Sequence, residues 1–329
     1  MEDIKTLRTS PTVTSYKPKK KGFIHEVIKH KVLFIMMLPA LVVLFFNNYL
    51  PMAGVLIAFK NFKYYGNNIF ENFLKSKWVG FDNFKFFTST PDAFTITRNT
   101  LAYNAIFIVV GLVVAVFFAI ILNELRGSKV SKFYQSTMFL PYFMSWIVVS
   151  YLAFAFLSEE SGLLDRSILP ALGINPISWY GETKWWPFIL VFVNLWKYTG
   201  YNCVIYIAAI AGIDTEYYEA AQVDGATKWQ QIKSITIPLL TPLMTIMTLL
   251  AIGRIFYADF GLFFNVPRNA GVLWDVTNVI DTYVYNTLMN MGDIGMSSAA
   301  GLYQSFIGFI LVLTSNLIVK KVDPEKALF

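Results

Sequence analysis

Apolar residues in this chain fall into blocks too long for a soluble core. The clearest runs over 105–122, without a polar side chain, and is long enough to cross roughly the hydrocarbon layer of a bilayer. Further blocks lie at about 32–46, extending in weaker form to 58, and at 137–157, 187–213, 237–255 and 297–319. The pattern predicts six membrane-spanning helices and hence an all-α, polytopic membrane helical bundle. Asn47, Asn48, Tyr49 and Pro51 interrupt the first block, and Pro141 is placed to kink the third and free a backbone carbonyl. The fourth holds Asn194, Trp196, Lys197, Tyr198, Thr199, Gly200, Tyr201 and Asn202 at mid-span. Such a polar cluster is costly against lipid, so it is expected to face protein or a watery path.

Between the blocks lie three longer polar segments, 59–98, 159–184 and 256–296, all expected as loops, and one polar stretch at 214–238. In that stretch, residues 214–224 predict a short helix with Asp214 or Thr215 as N-cap. Gly225 suits a left-handed break, and 226–234 predicts a second helix running into Pro238. A helix–turn–helix of this kind is a shape that can dock into another protein.

Basic residues set the orientation. Lys29 and Lys31 before the first span, Arg126, Lys129 and Lys132 after the second, and Lys320 and Lys321 after the sixth place both termini in the cytoplasm. Residues 59–98 carry Lys60, Lys63, Lys75, Lys77 and Lys85, which argues against an outer position. Six spans and an inner 214–238 stretch nonetheless place that segment outside.

Composition agrees. The chain is 56% hydrophobic and 15% charged, against about 25% charged for soluble proteins. A net charge of +6 then reflects orientation and lipid head groups ahead of nucleic acid. Cys203 is the sole cysteine, which excludes an intrachain disulfide, and is expected as a small buried residue. His25 and His30 have no second ligand at zinc spacing, so no metal is assigned. The first residues are polar and basic, with no cleavable signal segment, and 1–22 is expected as a disordered tail.

The stretch Glu219-Ala-Ala, three residues, Gly225, nine residues, Ile235-x-Ile237-Pro238 resembles the EAA loop of ABC-importer permeases, with Ile237 at a position that is Leu in the family pattern. Tyr49–Lys60, Trp78-Val-Gly80, Arg98-Asn-Thr100, Leu140–Trp146, Ala211–Asp214 and Val279–Tyr285 extend the resemblance over nearly everything after about residue 30. They are similar to the carbohydrate (polysaccharide or multiple-sugar, maltose-type) permeases. The resemblance implies a type I importer fold: a basic cytoplasmic tail over 1–30, a first transmembrane helix and outer loop over 31–94, a permease core over 95–320 with the EAA loop at 214–238, and a cytoplasmic tail over 321–329. It also implies a plasma-membrane location and the partners: a second permease subunit in a heterodimer, two ATP-binding cassette ATPases, an extracellular sugar-binding lipoprotein and an oligosaccharide substrate.

The chain itself has no Gly-x4-Gly-Lys-[Ser/Thr] loop, so it is expected to hold no cofactor, ATP being bound by the partner ATPases. The family's coupling role falls on Glu219, Ala220, Ala221, Asp224 and Gly225. Ala220 and Ala221 give a slim face, Glu219 pairs with a basic residue of the ATPase, and Gly225 sets the angle of the turn; for Asp224, a helix-end role and a contact both stand. Trp196, Tyr198, Tyr201 and Asn202, with Arg254 and Tyr257, offer rings and hydrogen bonds to a sugar, and helix packing stands as the alternative for each. Arg254 has two readings: a clamp to Asp259 or snorkelling to the surface, and a place in the path binding a hydroxyl pair or a uronate carboxylate. A stand-alone channel or ion-coupled carrier is the competing function. The scarcity of acids within spans argues against it, and the lack of clustered His, Cys or acids argues against a membrane enzyme.

Overall fold

The computed structural model describes residues 28–86, 90–125 and 129–322, so the expected tails at 1–30 and 321–329 lie almost wholly outside the described residues. The chain divides into two units, Met1–Gly54 and Val55–Phe329. In the first, α1 (Lys31–Leu44) passes through a π-turn at Phe45–Tyr49 into Leu50–Met52. The asparagines that predicted a break widen the helix instead. Pro51 sits in the first turn of the last piece, where a missing N–H costs little.

The second unit opens with a small folded segment. Strand β1 (Lys60–Asn61), helix α2 (Ile69–Lys75) and strand β2 (Lys77–Trp78) form an antiparallel pair with Lys60 opposite Trp78. Phe59 stacks on Trp78 at 5.8 Å. Helix α3 (Pro91–Glu124) begins well ahead of its apolar block, because Thr90 accepts the Ala93 N–H and Pro91 is preset for a first turn. Its early turns are fastened to chain far downstream. The Asn99 amide donates to the carbonyls of Asp275 and Asn278, both at 3.0 Å, and Arg98 donates to Asp275 at 3.3 Å. Thr100 accepts the Ile280 N–H at 3.0 Å.

Helices α4 (Lys129–Phe143) and α5 (Trp146–Leu157) meet at a bend of 103°, far sharper than a proline kink in one span. Pro141 lies in the last turn of α4, and Ser145 caps α5 by accepting the Val148 N–H. Helix α6 (Trp186–Ala211) packs on both α3 and α4. A Cβ on Gly200 would stand 1.9 Å from the Met138 carbonyl oxygen, so α6 and α4 cross backbone against backbone. Between membrane helices, where apolar burial gives no advantage over lipid, such close small-residue contacts are a main source of association.

After α7 (Thr215–Val223), α8 (Lys228–Ile252) runs through a π-turn at Ile232–Thr236. The last regular elements are α9 (Ile280–Asn286) and α10 (Ile294–Val322). Among the described residues, five helices are long and apolar enough to cross a membrane, or six if the bent α4–α5 pair counts as one.

A further expectation is corrected. Segment 256–296 is no solvated loop: Leu262, Phe263, Val266, Leu273 and Val279 are at most 2% exposed and join Tyr103, Trp186 and Leu190 in one core cluster. Its polar residues satisfy one another, as in the mutual amide bonds of Asn269 and Asn286. Trp186, which opens α6, is fully buried with that cluster and donates its indole N–H to the Trp179 carbonyl at 2.6 Å.

Candidate functional site

A cavity of about 480 Å³ lies between α3, α6 and the far end of α8. Asn104, Asn194, Tyr198, Asn202, Thr248, Arg254, Tyr257 and Asp259 supply its polar wall, and Phe107, Leu112 and Met247 part of the apolar one. It forms because α8 ends at Ile252 with Gly253 as cap, and the chain leaves the helix there. The Asn104 amide holds that departing chain, donating to the carbonyls of Ile255 (2.8 Å) and Tyr257 (3.3 Å). Tyr257 shares a 2.7 Å hydrogen bond with Ser305 of α10.

Asp259 is the hub of the wall. Its Oδ2 accepts from Trp146 Nε1 at 3.0 Å and from the Tyr198 hydroxyl at 2.6 Å. Its Oδ1 accepts the N–H groups of Gly261 (3.0 Å) and Leu262 (3.4 Å). Four donors fill the capacity of a carboxylate. The Arg254–Asp259 clamp is therefore absent. The chain does unwind after Gly253, but the carboxylate is spent on partners from α5 and α6, and Arg254 forms no ion pair or side-chain hydrogen bond with any described residue.

The cavity thus gathers Tyr198, Asn202, Arg254 and Tyr257 from the residues expected along a substrate path. It does not gather the other two. Trp196 packs against the core cluster and faces an apolar hollow with Val149 and Phe192. Tyr201 stacks on Tyr142, ring centroids 4.5 Å apart at 11°. Tyr198 and Tyr201 share a helix face and both meet the Tyr142 ring, but only Tyr198 also reaches Trp146 and Asp259.

Beside the cavity, Lys197 is 5% exposed, and its ammonium donates to the carbonyls of Pro141 and Tyr142, both at 3.1 Å, and of Met144. It caps the end of α4, where the helix dipole concentrates negative charge. It neither snorkels to a surface nor pairs with a carboxylate. Asp259, Asn104, Trp146 and Lys197 are the residues that sequence reading missed as site members. The only local signal was an acid and a cation beside polar mid-span positions.

At the opposite end of α8 sits the helix–turn–helix. Asp214 caps α7, accepting the Glu216 N–H at 3.0 Å. Its other end closes with Ala226 N–H to Ala221 carbonyl (2.8 Å) and Gly225 N–H to Gln222 carbonyl (3.0 Å), with Gly225 at φ +79°. Thr227 and Gln230 then form a reciprocal capping box for α8. Tyr218 bonds Thr236 at 2.9 Å, and Lys228 pairs with Glu124 of α3 at 3.2 Å. Glu219, Ala220, Asp224 and Gly225 are exposed and Ala221 half-buried, while Val223 is 89% exposed. A capped, rigid turn thus presents small and apolar groups outward.

Comparisons with known proteins bear on what this arrangement serves. The family model described as binding-protein-dependent transport system inner membrane component matches residues 111–324. Protein LplB of Bacillus subtilis is 32% identical over 99% of both chains. The polygalacturonan/rhamnogalacturonan transport system permease protein YteP of Bacillus subtilis is 31% identical over 94% of both. A bacterial ABC transporter chain involved in import of the acidic polysaccharide alginate superposes with TM-score 0.82 at 26% identity, covering 91% of this chain and 99% of that one. The alginate transporter in complex with an alginate pentasaccharide-bound periplasmic protein gives 0.82 at 25% identity, covering 92% and 98%.

Proposed function

Because the chain belongs to the family of binding-protein-dependent transport system inner membrane components, we propose that it is the permease subunit of an ATP-driven ABC importer that moves oligosaccharides across the plasma membrane. The names of its relatives and of the solved alginate transporter support a sugar cargo. In this reading the chain is not an enzyme. A second permease subunit completes the path, two ATPases bind ATP, and an extracellular lipoprotein delivers the sugar. Both termini and the Glu219–Gly225 turn lie in the cytoplasm.

One observation carries the coupling. The helix–turn–helix joins α6 directly to α8, two of the three helices around the cavity. Helix α8 is 25 residues long, so it spans about 38 Å from the turn to the cavity. A push on the turn by closing ATPases is therefore delivered to Arg254 and Asp259 at one helix end and to Tyr198 and Asn202 partway along the other. The Tyr218–Thr236 and Lys228–Glu124 contacts make the turn move with the bundle.

The test is ATP-driven uptake by the reconstituted complex. Glu219→Ala removes the ATPase partner, and Gly225→Val forces a β-branched residue into φ +79°, at a cost of roughly 1–2 kcal/mol or more. Both are expected to abolish uptake while the permease stays in the membrane. Wild-type uptake by both variants at normal complex yield refutes the coupling role. Uptake by this chain alone in liposomes, with neither ATPase nor second permease, establishes a stand-alone carrier.

A further inference from the structure

The cavity holds two charged side chains, and only one of them is committed. Asp259 spends both oxygens on four donors and is wedged in place, since Gly261 lies so close under Trp146 that a Cβ there would stand 1.9 Å from the indole. Lys197, the neighbouring cation, has its three N–H donors on three carbonyls. Arg254 is exposed toward the cavity with five N–H donors and no partner among the described residues. The amides of Asn194 and Asn202 on the same wall also bond to no described residue. A planar guanidinium with a free face binds a carboxylate through two parallel hydrogen bonds, a match that a hydroxyl pair makes only in neutral and weaker form. The cavity's volume lies within the roughly 300–1,000 Å³ of small-molecule sites.

We propose that Arg254 is a specificity-determining site for the carboxylate of a uronic-acid residue, with Asn194 and Asn202 bonding its hydroxyls, so that this permease favours acidic over neutral oligosaccharides. The inference rests on the importer reading but makes a claim of its own: charge is selected inside the membrane subunit, independently of the delivering protein. Asp259 does not cancel the selection, because its donors hold its negative charge against α5 and α6, and the guanidinium is left to meet the ligand.

The experiment measures equilibrium binding of trigalacturonate and of its methyl ester to the assembled complex, without the sugar-binding protein. Esterification removes the ligand's charge and leaves the protein untouched, so the comparison stands even where a variant fails to assemble. Wild type is expected to bind the acid about tenfold or more tighter than the ester, the size of one lost charge-assisted hydrogen bond. Arg254→Gln is expected to erase that difference by weakening acid binding far more than ester binding, and Arg254→Lys to keep part of it. Equal affinity of wild type for acid and ester, binding of neither, or undiminished discrimination by Arg254→Gln each overturns the site. ATP-driven uptake with the binding protein present is measured alongside. Uptake without charge discrimination sinks only the Arg254 assignment, whereas absence of any oligosaccharide uptake sinks the importer reading itself.

Discussion

Replacing Lys197 with Met tests whether the turn between α4 and α5 is held by one buried ammonium. Methionine keeps the length and apolar stem of the side chain and removes all three donors. The Pro141 carbonyl keeps a second partner, the Met144 N–H at 3.1 Å, but the carbonyls of Tyr142 and Met144 are left without a donor from a described residue. An orphaned carbonyl costs about 1–3 kcal/mol when fully buried, and these two are half-buried while an ammonium no longer has to be kept from water, so a net loss of about 1–3 kcal/mol is expected. The cation–π contact of Lys197 with Trp146, at 5.0 Å, is lost as well. Unfolding of the purified permease complex in a graded detergent titration reads this as a shifted midpoint. Lys197→Arg is expected to lose less, since it keeps the charge but not the tripod of donors. A Lys197→Met protein within about 0.5 kcal/mol of wild type refutes the reasoning, because that is the range of a surface change touching nothing.

Gly200→Val is expected to block assembly outright, since its Cβ meets the Met138 carbonyl at 1.9 Å; a normal yield of complex contradicts the backbone crossing. Asp259→Asn breaks its hydrogen bonds with Tyr198 and Trp146 unevenly, because the amide nitrogen cannot accept, and a changed tryptophan emission with impaired uptake checks it. Burial holds the Asp281 carboxyl above its ordinary value, against the lowering effect of the Ala258 N–H and Gln304. A carboxyl raised in the fold contributes stability at low pH that is lost as pH rises through its folded pKa, so the stability of Asp281→Asn relative to wild type is expected to grow from the ordinary carboxylate range upward; a pH-independent difference contradicts this. For orientation, Glu160→Cys in a Cys203→Ser background is expected to react with an impermeant reagent in intact cells and Lys129→Cys only after lysis; the reverse pattern inverts the topology. Asp165 is unsuitable for such labelling, being 4% exposed and bonded to Ile177 and Trp179.

The helices and the polar turn were legible because they are local. An unbroken apolar block, a cap and a left-handed glycine each declare themselves within a few residues, and Asp214, Gly225 and α7 fall where the pattern placed them. What sequence hid is the pairing of distant polar groups. Arg254 and Asp259 lie five residues apart and read as a pair, but the partners of Asp259 come from 61 and 113 residues away. Segment 256–296 read as a loop because its asparagines and acids looked solvated; folded back, they bond each other and free their apolar neighbours for the core. Trp186 stands beside the predicted start of the fourth span, a position that by itself reads as interfacial. Its burial depends on the Trp179 carbonyl, in a segment with no periodicity to read.

The fastening of Arg98, Asn99 and Thr100 to the chain at 275–280 sets an order of events during synthesis. Arg98 and its Asp275 partner are separated by 177 residues, which take about 9–35 s to translate at 5–20 residues per second. Through that interval α3 is already made, while the Asn99 amide has neither of its final acceptors, the carbonyls of Asp275 and Asn278. The nascent helix must therefore keep its early turns in water, or in the care of the insertion machinery, until residues 275–280, in about the last sixth of the protein, emerge. Truncations ending before Asp275 would leave the Arg98–Thr100 turn permanently without these downstream partners.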